Sequence, residues 1–236
     1  MLTFVTWRWQ PAPFYRSHYP PETVTTLKRM VDRHYTAPHR FLCVTNQTEG
    51  LDPSIEVVPP WDDYASLPSP HGGVKNPSCY RRLRMFHPEI GSVFGPRFVS
   101  LDLDVVITAS LDRVLDRPED IVLYGDTNPR TAYNGSLLLM TAGARPHVWT
   151  DFDPKASPAK ARAAGCWGSD QGWISYRLGP KEAKWTQRDG VYSFRNHLQG
   201  KPDLPADARV VVFHGAHDPW SPRVQRDYGW VKEHWQ

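Results

Sequence analysis

The sequence predicts a three-layer α/β sandwich on a mostly parallel sheet, and three observations carry that prediction. Short apolar, β-branched runs alternate with a stretch of helical periodicity in the order strand, helix, strand, a connection that implies parallel pairing with helical cover. At 236 residues a single core can still grow, so one domain spanning 1–236 is expected rather than two small ones. The hydrophobic fraction of 40% and charged fraction of 22% lie near ordinary globular usage.

The elements follow in order. Residues 2–7 are apolar and β-branched and are followed by a polar, proline-rich loop to Pro21, the pattern of a first strand leading into a functional loop. Residues 22–35 read as a helix, with Val24, Leu27, Val31 and Tyr35 near helical spacing and Pro20-Pro21 just before it. Residues 41–45 and 55–58 are the second and third strands. The stretch 59–77, with its prolines, Gly72-Gly73 and few aliphatics, is expected to be a long surface loop able to close over a ligand. Residues 80–86 are expected to be helical, and 98–107 is the clearest strand in the chain. Further strands are expected at 121–124, 136–141 and 210–213, and a helix opens at 170–178. The tail after Pro219, rich in tryptophan and charge, reads as a short helix or an ordered arm.

Composition bounds the function. A formal charge of +3 and a pI near 8.7 suit an anionic ligand but fall short of a nucleic-acid footprint. Ten tryptophans exceed what one core usually needs, so some are candidates to stack rings of sugar or base, although most serve packing. Cys43, Cys79 and Cys166 make an odd count without CxxC spacing, which points to a reducing, cytoplasmic setting rather than a zinc ribbon or disulfide framework. The apolar run at the N-terminus is too short for a signal peptide, and no stretch approaches the ~20 apolar residues of a membrane span. No Walker loop follows Gly72-Gly73, and neither HExxH nor a Gly-x-Ser-x-Gly elbow occurs.

The chemistry centres on Asp102 and Asp104, two residues apart at the end of the 98–107 run. Strand periodicity would put both on one face. Two like charges so close repel, and beside a core they need a cation or strong donors, for which a hard divalent metal with oxygen ligands is the economical solution. The plain alternative is a strand end whose acids meet solvent or cap a helix, since so short a motif recurs by chance.

The surroundings favour the metal. Ser100 to Ile107 resembles the "YLDxDhhh" strand of the family-8 retaining glycosyltransferases, which have the GT-A fold. Lys75 and Tyr80-Arg81-Arg82-Leu83 resemble that family's lysine and Tyr-x-Arg-Leu helix, with Arg82 at the donor-contacting arginine. Tyr133-Asn134-Gly135-Ser136-Leu137-Leu138 looks like the strand bordering its sugar pocket, and Ser169-Asp170-Gln171-Gly172-Trp173-Ile174 resembles its Asp-Gln-Asp segment. Phe213-His214-Gly215-Ala216-His217-Asp218-Pro219-Trp220 is similar to the closing His-x-x-Gly-x-x-Lys-Pro-Trp motif. Five weak matches in the family's order reinforce one another. The resemblance implies a GT-A type α/β/α sandwich and a hexosyltransferase using a nucleoside-diphosphate sugar, such as a UDP-sugar, with retention. It implies Mn²⁺ or Mg²⁺ on Asp102 and Asp104, and donor contacts from Thr6, Trp7, Lys75, Arg82, Asp102, Asn134 and Gly215. Asp170 and Gln171 would lie at the reacting sugar.

Departures from the pattern shape the remaining expectations. Val212 stands where the family has its metal-binding histidine and Asp218 where it has a diphosphate-binding lysine. His214, two residues further along the expected strand, is the candidate third ligand, and His217 the competitor. Gly172 lacks the second acid of Asp-Gln-Asp, and Thr6-Trp7-Arg8 replaces small and acidic residues at the first strand end. The acceptor stays open among a glycan, a lipid-linked sugar, a protein side chain and a modified DNA base. Two rival readings are a nucleotidyltransferase, which should carry a Gly-rich phosphate loop that 6–19 lacks, and a non-catalytic sugar- or nucleic-acid-binding module.

Overall fold

The β-branched run at the N-terminus forms β1 (Leu2–Arg8), a central strand of the main sheet. In the computed structural model, which describes residues 1–9, 19–65, 67, 79–125, 128 and 130–236, there follow α1 (Pro21–His34), β2 (His39–Thr45), β3 (Glu56–Val58) and a 3-10 helix (Cys79–Phe86). Next come α2 (Gly91–Phe94), β4 (Arg97–Leu101), β5 (Val105–Ile107), α3 (Asp112–Leu115), β6 (Ile121–Gly125) and β7 (Tyr133–Thr141). The chain continues through α4 (His147–Thr150), α5 (Ser157–Ala163), α6 (Asp170–Leu178), β8 (Ala183–Trp185) and a 3-10 turn (Gln187–Asp189). It ends with β9 (Val191–Ser193), a π-helical turn (Phe194–Leu198), β10 (Val210–Val212), α7 (Pro222–Asp227) and α8 (Gly229–His234).

Seven strands form the main sheet in the order β3-β2-β1-β4-β7-β6-β8. All its pairings are parallel except those of β7, which runs antiparallel to β4 and β6. The pleat sends alternate side chains to opposite faces. Phe4, Phe41, Cys43, Val99 and Leu101 join Val24 and Leu27 of α1 in one core, whereas Val5, Trp7, Leu42, Val44 and Phe98 join Leu83, Phe94 and Trp173 in the other. With about 1.5–3 kcal/mol at stake for each large apolar side chain buried, a one-residue slip that exchanged these rows would be heavily penalised. The result is the predicted three-layer α/β/α sandwich.

The predicted helix at 22–35 is α1 to within a residue at each end, with proline at its first turn and Glu22 at the positive end of its dipole. The helix at 170–178 is α6, capped by the Ser169 side chain, which accepts from the Gly172 amide at 3.1 Å. The tail forms α7 and α8, which bury Val224, Trp230 and Val231. Most of the expected closing loop, including Gly72, Gly73 and Lys75, lies outside the described residues.

One expectation is corrected. Residues 98–107 are not one strand: β4 stops at Leu101, and β5 belongs to a second, three-stranded sheet in the order β5-β10-β9. The Asp102 amide still donates to the Ser136 carbonyl at 3.0 Å, and the Phe213 amide donates to the Asp104 carbonyl at 3.0 Å. The two acids therefore sit on the turn where the chain passes from one sheet to the other, so strand alternation does not set their directions. The alternation Leu101, Asp102, Leu103, Asp104 keeps strand-like spacing through the turn, so the pattern carries no sign of such a change of partner.

Candidate active site

Arg82 is the fixed point of the cleft. Tyr80, Arg82, Leu83, Met85 and Phe86 form the buried side of the 3-10 helix, and the guanidinium emerges from it between two carboxylates. It donates to Asp102 Oδ1 through Nη1, and to Asp170 Oδ2 through Nη2 at 3.0 Å and Nε at 3.3 Å. Burial disfavours its charge, but Asp102 and Asp170 outweigh that penalty and raise its pKa well above the ordinary arginine value. The other oxygen of Asp102 accepts from Ser136 Oγ at 2.7 Å. Asp102, from the end of β4, and Asp170, at the first turn of α6, are thus held by one side chain from a third element.

Asp104 differs from both. It is 8% exposed, and burial, then the charges of Asp102 and Asp218, hold its pKa well above the carboxylate range, with Arg82 pulling weakly the other way. Three carboxylates thus converge electrostatically while Arg82 is already committed to Asp102 and Asp170. Such a surplus of negative charge beside a core fits a divalent cation, and oxygen-only ligation by one or two carboxylates completed by phosphate oxygens and water suits Mg²⁺ or Mn²⁺. Among the described residues no group of three or more His, Cys, Asp or Glu side chains stands in ligating arrangement, so the protein's own contribution is this smaller acidic set.

Beyond Arg82 lies a small polar shelf. The Gly135 amide donates to Gln171 Oε1 at 3.3 Å, Gln171 Nε2 lies 3.5 Å from Thr131 Oγ1, and the Ser136 amide donates to Asn134 Oδ1 at 2.9 Å. A Cβ on Gly135 would stand 2.7 Å from Arg82 Nη2, so glycine there lets the guanidinium lie against the strand. Gly172 has a steric cause: a Cβ would lie 1.8 Å from the Trp167 carbonyl oxygen, so no acid can occupy that position.

At the first strand end, Thr6 Oγ1 donates to the Leu101 carbonyl at 2.9 Å and Trp7 Nε1 to Ser100 Oγ at 3.3 Å. Trp7 packs edge-on to Phe94 and tilted to Trp61, with 8% of its surface exposed. Both side chains fix the end of β4 just behind Asp102. In the closing segment Val212 is fully buried in β10. His214 Nε2 lies 2.7 Å from Ser193 Oγ, and the His217 ring stands edge-on to Phe194 with centroids 5.6 Å apart. Since β10 ends at Val212, alternation does not extend to either histidine.

Arg195, which sequence reasoning did not single out, stands beside Gly215. It is an exposed residue on the π-helical turn, and its Cδ and Nη1 lie 3.5 and 3.6 Å from where a Cβ of Gly215, whose φ is +98°, would stand. No motif marks it, because twenty residues separate it from the glycine and only the pairing of β9 with β10 joins them.

The fold is shared with solved glycosyltransferases. The chain is similar to a galactosyltransferase, LgtC, solved in complex with donor and acceptor sugar analogs, with a TM-score of 0.63 at 14% identity over 99% of this chain and 96% of that one. An active-site glutamine-to-glutamate mutant of LgtC matches equally well, with the same score and identity over 98% and 95% of the two chains. The glycosyltransferase GlyE of Streptococcus pneumoniae TIGR4 matches with a TM-score of 0.59 at 10% identity, over 99% of this chain and 60% of that one. No family model and no curated protein sequence matches the chain.

Proposed function

We propose that this chain is a metal-dependent glycosyltransferase that moves a hexose from a nucleoside-diphosphate sugar, a UDP-sugar, to an acceptor hydroxyl. The observation that carries the reading is the buried carboxylate of Asp104 beside Asp102 and Asp218, at a strand end of a fold shared with glycosyltransferases. A divalent cation on Asp102 and Asp104 would supply neutralisation of the diphosphate.

The chain's own groups do the rest. Arg82 holds Asp102 and Asp170 in place, while Arg195, exposed beside Gly215, and Lys75, through its resemblance to the family's lysine, would offer positive charge to the diphosphate; a preorganised contact of that kind is worth about 10²–10³ in rate. Gln171, with both ends of its amide engaged by Gly135 and Thr131, and Asp170 flank the sugar. Glutamine is a poor nucleophile, so we favour front-side attack with retention. The acceptor oxygen bonds to the anomeric carbon as the bond from that carbon to the phosphate oxygen breaks, and the acceptor proton passes to the leaving phosphate.

The purified chain is expected to hydrolyse UDP-hexoses slowly with Mn²⁺, to stop in EDTA and to recover when metal is restored. Absence of both hydrolysis and UDP binding at every metal tested would overturn the reading. His214 is proposed as a third ligand recruited when the ion binds, since no such group of three is assembled among the described residues; that requires movement toward the acids and use of Nδ1 or release of the Nε2 contact with Ser193. His214→Ala should therefore weaken Mn²⁺ binding measurably by calorimetry, and His217→Ala should leave it nearly unchanged; the reverse pattern would transfer the role to His217.

A further inference from the structure

The small sheet has two ends, and the end remote from Asp104 opens on a second cavity. Val210 pairs with Ile107 and Val191 there, whereas Val212 pairs with Val105 and Ser193 beside the carboxylates. Arg113, Arg117, Arg188 and Arg209 line the cavity together with Asp189 and Asp207, around a volume of about 230 Å³. Four arginines from three chain segments line it.

Their partners are unevenly distributed. Arg117 binds Glu119 through two nitrogens, at 2.5 and 3.0 Å, with Asp189 at 3.6 Å. Asp189 also accepts from the Thr186 amide at 2.8 Å, and Asp207 from the Tyr192 hydroxyl at 2.8 Å. The acids are thus used within the scaffold, while Arg113, Arg188 and Arg209 carry no ion pair or side-chain hydrogen bond among the described residues. Gathering like charges around a concavity is unfavourable unless an anion joins them.

The walls are held rigidly. The Arg209 amide donates to the Gly190 carbonyl at 2.8 Å, and a Cβ on Gly190 would lie 2.5 Å from the Asp207 carbonyl oxygen, so the two segments touch backbone to backbone. Fully buried Trp185 donates from Nε1 to the Val114 carbonyl at 2.9 Å, which anchors the helix carrying Arg113. The backbones bearing the three arginines are therefore set before any ligand arrives.

We propose that this cavity binds a small polyanion of the phosphate-ester or diphosphate class, held by Arg113, Arg188 and Arg209. Guanidinium forks match phosphate oxygens in pairs, and a half-open concavity of about 230 Å³, below the volume of drug-sized pockets, suits a small ligand. The proposal does not depend on glycosyl transfer, and a chain inactive in donor hydrolysis should still bind.

Calorimetric titration of the full chain with inorganic pyrophosphate in metal-free buffer tests it, since without metal the acidic cleft disfavours the same anion. Binding is expected to weaken at least tenfold in Arg188→Gln/Arg209→Gln and severalfold in Arg113→Gln, and to fall as salt is added. Circular dichroism monitors the fold; should the double variant unfold, Arg113→Gln alone decides. Absence of pyrophosphate binding, unchanged affinity in these variants, loss in Arg195→Gln instead, or tighter binding of a single-stranded oligonucleotide than of pyrophosphate would overturn the proposal.

Discussion

Asp102 and Asp104 show how two identical side chains acquire different tasks. Asp102 has both oxygens engaged, by Arg82 and Ser136, so removing its charge would leave a buried guanidinium short of a partner. Asp104 sits where burial and its acidic neighbours disfavour ionisation, so its charge does not help the fold. Asp104→Asn should therefore unfold in metal-free urea at a midpoint no lower than the native chain, yet lose Mn²⁺-dependent UDP binding by calorimetry. A clear fall in the urea midpoint would mark Asp104 as structural. These roles were only partly legible in the sequence: the Asp-x-Asp spacing named the pair, but the Arg82 bridge spans 20 residues to Asp102 and 88 to Asp170, beyond the reach of any local pattern.

At the scale of elements, two glycines govern how α6 and β7 meet the cleft, and they should fail in different ways. An added methyl at Gly172 meets backbone, at 1.8 Å from the Trp167 carbonyl oxygen, and nothing nearby can yield cheaply. Gly172→Ala should cost more than about 3 kcal/mol, at or above the upper end of ordinary overpacking, measured by urea denaturation. At Gly135 the clash is with the tip of Arg82, a mobile group in principle but here tethered to two acids. Gly135→Ala should cost less, about 1–2 kcal/mol, while lowering turnover more than tenfold by displacing the guanidinium. Equal stability losses in the two variants would contradict this division. The sequence marked the helix opening at 170 but not the reason position 172 lacks an acid, since the Trp167 carbonyl reaches it only through the fold of the short segment that leads into α6.

Across the whole molecule the two cores cover both faces of the main sheet; one of them takes in Cys43, whereas Cys79 lies half-buried at the start of the 3-10 helix. Burial pushes Cys43 up to about 12 against the opposing pull of Arg8. Burial and then the charge of Asp170 push Cys79 up to about 12 as well. Both raised values mean that neither forms an appreciable thiolate at pH 8, so each reacts only when the chain opens. In Ellman's assay at pH 8 these two cysteines should stay silent until urea unfolds the protein, then appear together with the loss of helical circular dichroism. Reaction of Cys79 in the native protein would show that the 3-10 helix carrying Arg82 opens locally.

The sequence by itself determined most of the elements and the class of fold: helical spacing at 22–35, a helix opening at 170, and short apolar runs in the order strand, helix, strand that imply a mostly parallel sheet. It also singled out Asp102 and Asp104 by their spacing, while Arg82, Gly135 and Gln171 joined them only through the resemblance of their motifs to the family-8 glycosyltransferases. Tertiary structure alone decided where the 98–107 run breaks between two sheets, and that Arg82 serves as a clamp between carboxylates. It alone brought Arg195 to Gly215 and gathered four arginines at the far end of the small sheet. The reason is range: periodicity and capping act over a few residues, whereas strand exchange and charge clustering depend on which distant segments pack together, and a single sequence carries no local record of that choice.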